Sequence, residues 1–263
     1  MGLNVNALVG THDVLLLVLD TLRFDVADTS WREGRTPNLR RLVPNGWERR
    51  HAPGTFTYAS HQAFFAGFLP TPAAPGRHPR LFATRFGGSE TTTAETCVFD
   101  APDVVHGLAG RGYRTVCIGG TGFFNPDSPL GRVLSAYFDE AHYSEETGVL
   151  ARGSTGAQVA LAVQRLRALE QRVFMFINVS ALHQPNCHYV PGATHDTLET
   201  HAAALEYVDG QLPPLFEALA ARGPSLCIVC SDHGTAYGED GHVGHRLAHP
   251  VVLEVPYAEW VHR

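Results

Sequence analysis

Short apolar runs alternate with helix-like segments along this chain, and this alternation constrains its fold more than any other feature. Four runs have the length and near-continuous hydrophobicity of strands buried on both faces: 13–19, 114–119, 173–179 and 225–230. A weaker strand candidate spans 250–255, and helix-like segments span about 37–44, 60–67, 103–111, 156–171 and 199–222. Strands that alternate with helices predict an α/β fold, a three-layer α/β/α sandwich around a mostly parallel sheet.

The composition indicates one large globular domain. With 263 residues, 44% of them hydrophobic and 17% charged, the chain can bury a substantial core, and we predict a single domain over residues 1–263.

A net charge of -6 without a basic run predicts no nucleic-acid partner, and the apolar runs are too short to predict a membrane partner. Five cysteines without disulfide-type spacing predict a reducing, cytoplasmic location. The proline-rich segment 70–97 is either a substrate loop or a plain surface excursion.

Two of the predicted strands end directly on residues that can bind a metal ion. Asp232 and His233 follow the run 225–230, and Asp20 follows the run 13–19. The carboxyl ends of parallel strands lie at one edge of a sheet, where open α/β folds bind ligands. A carboxylate beside an imidazole is a common ligand pair for a divalent ion. Asp20 alone could equally be a helix N-cap, but the three residues together predict a metal site.

Thr57 lies close to the start of the helix-like segment 60–67. A hydroxyl at a helix N-terminus is near unpaired backbone N–H groups and the positive end of the helix dipole, a setting that favours a bound oxyanion. With a metal ion in reach, Thr57 could act as a nucleophile. In isolation, a plain threonine N-cap is the simpler interpretation.

Further imidazoles and one guanidinium lie near other strand ends and could bind an anionic small-molecule ester. His183 follows the run 173–179, and His242 and His245 lie in the glycine-rich loop after the last of the four main strands. Arg23 lies just beyond the first strand. Because these loops meet at one edge of a parallel sheet, we expect a single site for a tetrahedral oxyanion.

Taken together, the motifs resemble those of the alkaline phosphatase superfamily, closest to its sulfatase-like branch. The matching segments extend over nearly the whole chain: Leu16–Arg23, Thr36–Leu39, Thr57–His61, Arg111–Thr115, His183–Pro185, Ser231–Gly234 and Val255–Pro256. The resemblance implies an alkaline-phosphatase-like α/β/α fold and a metal-dependent enzyme. It further implies one divalent ion, zinc or manganese in preference to calcium, held by Asp20, Thr57, Asp232 and His233. His183 and His245 would then contact the substrate oxyanion.

Thr57 departs from true sulfatases, which carry a cysteine or serine for conversion to formylglycine at this position. Threonine is the nucleophile in phosphodiesterase and phosphotransferase relatives. The resemblance therefore implies a hydrolase or transferase that acts on phosphoesters through a covalent phospho-threonine. Cleavage of sulfate or phosphonate esters at the same site is an alternative, and an inactive metal-binding protein is a rival of another class.

Two further expectations concern the metal count and the assembly. We expect no second metal ion, although His183, His188 and His245 could in principle form an all-imidazole site. The chain is short for the family that it resembles and lacks a C-terminal subdomain that helps to close the pocket. This leaves two alternatives, an open pocket or one completed by a second copy of the chain in a homo-oligomer.

Overall fold

A mixed eight-stranded sheet forms the centre of the molecule. The computed structural model describes residues 3–88 and 91–262. The strands of this sheet and of two small two-stranded sheets are β1 Asp13–Leu19, β2 Glu48–His51, β3 Thr71–Pro72, β4 Phe82–Thr84, β5 Cys97–Phe99, β6 Arg114–Ile118, β7 Glu140–His142, β8 Val173–Val179, β9 Ser225–Cys230, β10 Ala236–Tyr237, β11 Val243–Gly244 and β12 Glu254–His262. The order across the main sheet is β3-β2-β12-β9-β1-β8-β6-β7. Neighbours from β9 to β7 pair in parallel, whereas the pairs that add β12, β2 and β3 are antiparallel.

Helices connect the strands and cover both faces of the sheet. They are α1 Val5–Leu8, α2 Phe24–Arg32, α3 Pro37–Leu42, α4 Thr57–Phe65, α5 Val104–Ala109, α6 Gly131–Ser135, α7 Ser154–Ala168, α8 Leu198–Gln211, α9 Pro213–Arg222 and α10 Pro250–Leu253. Within the described residues, no helix is both long enough and apolar enough to cross a membrane.

Alternate residues of the central strands feed two separate cores, which explains their continuous hydrophobicity. In β1, Leu15 and Leu17 pack on one face with α2, α3, α7, α8 and α9. Val14 and Leu16 pack on the other face with α4, α5 and α6. A strand buried on both faces has no solvent side on which polar residues would alternate. The predicted α/β/α sandwich with a mostly parallel sheet is therefore confirmed.

The structure corrects two predicted elements, both at prolines. The helix expected over 199–222 is two helices, because Pro213 has no N–H to continue the hydrogen-bond ladder of α8 and instead opens α9. The strand expected over 250–255 is wrong in its first part. Pro250 begins the short helix α10, and β12 starts only at Glu254.

The segment 70–97 packs at the antiparallel side of the molecule. Its described residues include β3 at the sheet edge and β4, which pairs with β5. Together with Arg50 and Tyr257, several of them line a small depression of about 70 Å³. None of its described residues lines the larger cleft beside Thr57, so a substrate-loop role for this segment stays a prediction.

His201 on α8 is a fully buried imidazole whose Nδ1 lies 3.0 Å from the Tyr237 hydroxyl. Burial, followed by the nearby charge of Arg23, lowers the pKa of His201 from 6.5 to about 3. The unfolded chain gains a proton at His201 below pH 6.5, whereas the folded protein does not. The stability contributed by this neutral ring is therefore complete above pH 6.5 and is lost progressively as the pH falls towards 3.

Replacing His201 should remove this pH dependence. We expect the free energy of unfolding of the His201→Gln variant to fall less between pH 7.5 and pH 5 than that of the wild type, by about 2 kcal/mol. Urea unfolding at the two pH values measures the difference. His195→Gln is the control, since His195 is exposed. The same pH dependence in wild type and His201→Gln would contradict the prediction.

Candidate metal and catalytic site

The carboxyl ends of β1 and β9 bring the predicted metal ligands together. Val18 of β1 pairs with Cys230 of β9, so the residues that follow these two strands emerge side by side. Asp20, Asp232 and His233 are all 0% exposed, and their candidate ligand atoms lie within 4.8 Å of one another. Elsewhere in the described part of the chain, no other group of three or more such side chains meets this criterion.

One oxygen of Asp232 is free to bind a cation. Its Oδ1 accepts hydrogen bonds from the backbone N–H of Thr21 at 3.1 Å and of His233 at 3.0 Å. These two bonds fix the carboxylate plane. Its Oδ2 is buried and has no hydrogen-bond partner. Because an unpaired buried carboxylate oxygen is costly, this atom fits a metal ligand.

His233 presents a lone pair to the same point. Its Nδ1 donates to the Gly234 carbonyl at 2.8 Å, since a carbonyl can only accept. Burial lowers the pKa of His233, so the ring is neutral and its Nε2 carries the lone pair. This Nε2 lies 3.5 Å from Asp232 Oδ2. Gly234 is required behind it, because a Cβ there would lie 2.0 Å from the Val251 carbonyl oxygen.

Asp20 completes the acidic cluster and is held in its ionised form. Burial opposes ionisation, but the electrostatic attraction of the facing imidazole rings and hydrogen bonds from Asn178 and Thr21 outweigh it, so the pKa of Asp20 is lowered. Thr21 Oγ1 donates to Oδ1 at 2.6 Å and Asn178 Nδ2 to Oδ2 at 2.8 Å. By contrast, burial and the neighbouring charge of Asp20 raise the pKa of Asp232 well above its usual value. Two buried carboxylates that cannot both ionise comfortably fit a site built for a divalent cation.

Thr21 has a strained backbone that serves this cluster. Its φ is 69°, in the left-handed region that a β-branched residue rarely adopts. This conformation allows its N–H to reach Asp232 while its hydroxyl bonds Asp20. Strain of this kind persists where surrounding contacts enforce it, typically at functional sites. Thr21 thus links the two ligand-bearing loops.

Thr57 is the first residue of α4 and faces the ligand cluster. Its side-chain oxygen lies 3.4 Å from both Asp20 Oδ2 and His233 Nε2, and the residue is only 2% exposed. Ser60, on the same helix, donates to the Asp232 carbonyl at 2.7 Å and fastens α4 to the loop after β9. The hydroxyl is therefore placed where a metal ligand or a nucleophile would have to be.

His61 supports Thr57 from within the core. Its Nδ1 donates to the Thr57 carbonyl at 2.7 Å, and its ring packs against Phe64, Phe124 and Phe176. Burial lowers the pKa of His61 to about 4. A neutral imidazole in an aromatic surrounding holds the first turn of α4 without adding charge to the site.

His183 and His245, the two residues predicted to bind an oxyanion, lie beside the cluster. Their ring centroids are 5.6 Å apart, and that of His245 is 4.6 Å from that of His233. Burial, then the neighbouring His233 and His183, lowers the pKa of His245 to about 4. Its Nδ1 is buried without a hydrogen-bond partner. A negatively charged ligand would satisfy this atom.

Two predicted substrate-binding residues lie outside this arrangement. Arg23 is 2% exposed and bonds the carboxylates of Asp25 and Glu239. These ion pairs give it a structural role, because they connect the start of α2 to the loop after β10. His242 is exposed, with its ring 6.3 Å from that of His249. Neither residue lines the cleft beside Thr57, and the geometry does not support their contact with substrate.

A cleft of about 610 Å³ opens beside Thr57. Its described lining residues come from five segments of the chain: Thr57, Thr121, Gly122, Phe123, Ser128, Leu130, Val149, His183, Gln184, Gly244, His245 and Arg246. His188, the third member of the alternative all-imidazole metal site, is not among them. The cluster of possible metal ligands in the described residues also contains none of His183, His188 and His245.

Sequence reasoning missed Asn178, Phe123 and Arg246. Asn178 has a recognisable signal, since it is the single polar residue in the apolar run of β8. Arg246 directly follows His245, which the sequence predicts as an anion-binding residue. Phe123 has no local signal, because only the tertiary structure brings the turn after β6 to α4.

Comparison with known proteins places this geometry in a family. The sulfatase family model matches residues 12–257. No curated protein matches the chain. Among solved structures, the C-terminal periplasmic domain of the phosphoethanolamine transferase EptC from Campylobacter jejuni is similar, with a TM-score of 0.65 and 16% identity over 95% of this chain and 80% of that one.

Two other solved structures support the same fold. The corresponding domain of EcEptC from Escherichia coli, in complex with zinc, has a TM-score of 0.61 and 13% identity, and covers 95% of this chain and 74% of that one. A protein of the alkaline phosphatase superfamily from Vibrio parahaemolyticus has a TM-score of 0.57 and 18% identity, and the match covers 94% of this chain and 60% of that one. These likenesses confirm an alkaline-phosphatase-like fold.

The repulsion between the two buried carboxylates predicts a trade-off between stability and metal binding. We expect the Asp232→Asn variant to melt several degrees above wild type when both are treated with chelator, because the amide cannot repel Asp20. With Zn²⁺ added at about 100 times its Kd, wild type should gain about 2.7 kcal/mol and the variant should not. Thermal unfolding with and without Zn²⁺ measures both effects.

The matched control is Asp127→Asn, a substitution at an exposed aspartate. It should behave as wild type with and without Zn²⁺. If Zn²⁺ stabilised Asp232→Asn as strongly as wild type, Asp232 would not be a ligand.

Proposed function

This chain belongs to the sulfatase family, and on that basis we propose that it is a metal-dependent enzyme that transfers or hydrolyses phosphoesters through a covalent phospho-threonine. The observation that carries the proposal is the position of Thr57. Its hydroxyl lies 3.4 Å from Asp20 Oδ2 and from His233 Nε2, at the N-terminus of α4 and beside an open cleft. A hydroxyl held among metal ligands is the arrangement that an activated nucleophile requires.

Asp20, Asp232, His233 and Thr57 would hold one divalent ion. When bound, such an ion stabilises negative charge on a phosphoryl oxygen and lowers the pKa of a coordinated hydroxyl. A neutral imidazole among carboxylates favours zinc or manganese over calcium, which prefers oxygen ligands alone. The zinc complex of the similar EcEptC domain supports the same choice.

The chain's own groups prepare Thr57 for attack. Its hydroxyl donates towards Asp20 Oδ2. The Asp20 carboxylate stays ionised because Asn178 donates to its Oδ2 and Thr21 donates to its Oδ1. As the Thr57 oxygen forms a bond to phosphorus, its proton passes to Asp20 Oδ2 and from there to the alkoxide that leaves when its own bond to phosphorus breaks. Water or a second alcohol then attacks phosphorus, the bond to Thr57 breaks, and the proton of the attacking group returns to the Thr57 oxygen, so the acceptor decides between hydrolysis and transfer.

His183 and His245 are proposed to bind the phosphoryl oxygens. His183 Nδ1 donates to the Gln184 carbonyl at 2.6 Å, which orients its ring. His245 has an unpartnered buried Nδ1. Donors positioned where negative charge develops are commonly worth a few kcal/mol in a transition state.

The proposed reaction determines which substrates should be tested, and the cellular location is a separate proposal. Mono- and diesters of phosphate should be tested beside sulfate and phosphonate esters, because a tetrahedral anion of any of these could enter the site. A cytoplasmic location stays a proposal that rests on five free cysteines, whereas the similar EptC domains are periplasmic. Fractionation of cells that express the tagged chain decides between the two compartments.

Removal of the Thr57 hydroxyl tests the covalent step. We expect Thr57→Val, which keeps the branched shape, to abolish turnover of phosphoesters, and Thr57→Ser to retain measurable activity. Intact-protein mass spectrometry after rapid acid quench should detect a phosphoryl adduct on wild type and none on Thr57→Val. Unchanged turnover by Thr57→Val would refute the nucleophile assignment.

Loss of either cleft histidine should slow the reaction without unfolding the protein. We expect kcat/KM to fall about 100-fold in His183→Gln and in His245→Gln, since each removes one donor to the developing charge. The exposed His195 provides the control variant His195→Gln, which should keep wild-type kinetics. A loss below about threefold in both cleft variants would exclude these roles.

A further inference from the structure

The cleft beside Thr57 has walls of two chemical kinds. Imidazole and guanidinium groups lie among its lining residues together with the apolar side chains of Phe123, Leu130 and Val149. None of the described lining residues carries a carboxylate. A cleft with this lining suits an anion that also carries an apolar organic group.

Arg246 holds a positive charge at the edge of this cleft. It is exposed, and among the described residues it forms no ion pair. Its guanidinium carbon lies 5.3 Å from the centroid of the Phe56 ring. Its backbone N–H donates to the Thr55 carbonyl at 2.9 Å, and its φ is 71°. The backbone bond and the contact with Phe56 place the Arg246 guanidinium beside the residues that precede α4, at the edge of the cleft.

Phe123 forms an aromatic wall of the same cleft. Its ring is half-buried, with centroids 6.2 Å from Phe56 and 5.7 Å from Tyr58. The following residue, Phe124, is fully buried and anchors the turn Gly122–Phe124 in the core. The buried Phe124 and the contacts with Phe56 and Tyr58 therefore position the Phe123 ring in the cleft.

We propose that Phe123 and Arg246 determine specificity and that the substrate, given the proposed function, is an anionic ester that carries an aromatic organic group. Arg246 attracts the negative charge of the ester. Phe123 offers a ring on which a second planar ring can stack, an interaction that favours an aryl group over a saturated one of equal size by about threefold to tenfold.

Two unreactive probes separate stacking from simple hydrophobicity. Benzylphosphonate and cyclohexylmethylphosphonate have the same charge and closely similar apolar size, but only the first has a planar ring. Calorimetric titration of the Zn²⁺-loaded wild-type protein should give a Kd about threefold to tenfold lower for benzylphosphonate. Binding is measured directly, so the result does not depend on leaving-group reactivity.

Two variants assign the effect to the two side chains. Phe123→Leu should remove the preference for benzylphosphonate and leave the affinity for cyclohexylmethylphosphonate nearly unchanged. Arg246→Gln should weaken both probes equally, about tenfold at low salt and less at high salt. The controls are Phe86→Leu and Arg167→Gln, which alter exposed residues outside the cleft.

Equal affinities for the two probes in wild type, or a preference that survives in Phe123→Leu, would overturn the aromatic specificity. If turnover still required the Thr57 hydroxyl in that case, the proposed function would stand and only the aromatic specificity would be wrong. Turnover that is indifferent to Thr57→Val would instead refute the proposed function, whatever the probes show.

Discussion

Two carboxylates buried at the same point are the constraint on which the site depends. Asp20 and Asp232 are both 0% exposed, and burial together with the charge of Asp20 raises the pKa of Asp232. Each is held by hydrogen bonds from Thr21, whose backbone is strained to provide them. An arrangement that lowers the stability of the metal-free protein is understandable if a cation is its normal occupant.

The surrounding structure fixes the approach to this point. Ser60 fastens α4 to the loop after β9, which keeps Thr57 against the ligand cluster. Arg23, through Asp25 and Glu239, connects the start of α2 to the loop that leads towards His245. These contacts join segments that are distant in sequence, so they hold Thr57, the acidic cluster and the loop of His245 in one fixed arrangement. Such preorganisation is what electrostatic catalysis requires.

The core of the site could be predicted because its signals are local. An apolar run that ends on Asp20 and another that ends on Asp232 and His233 are visible in the sequence, and parallel pairing necessarily brings their ends to one edge. Arg23 shows the limit of this reasoning. It follows a strand as the predicted metal ligands do, yet its guanidinium pairs with the carboxylate of Asp25 in its own helix and with that of Glu239, which is distant in sequence.

The sequence by itself determined the layers of the fold and which residues are candidates to bind a metal ion or to act as a nucleophile, because hydrophobic periodicity and residue chemistry are local properties. Only the tertiary structure decided which oxygen of Asp232 is unpaired, which of the many histidines enter the cleft and that Phe123 and Arg246 line it. Those features depend on side-chain directions and on contacts between distant loops, and neither is encoded by spacing along the chain.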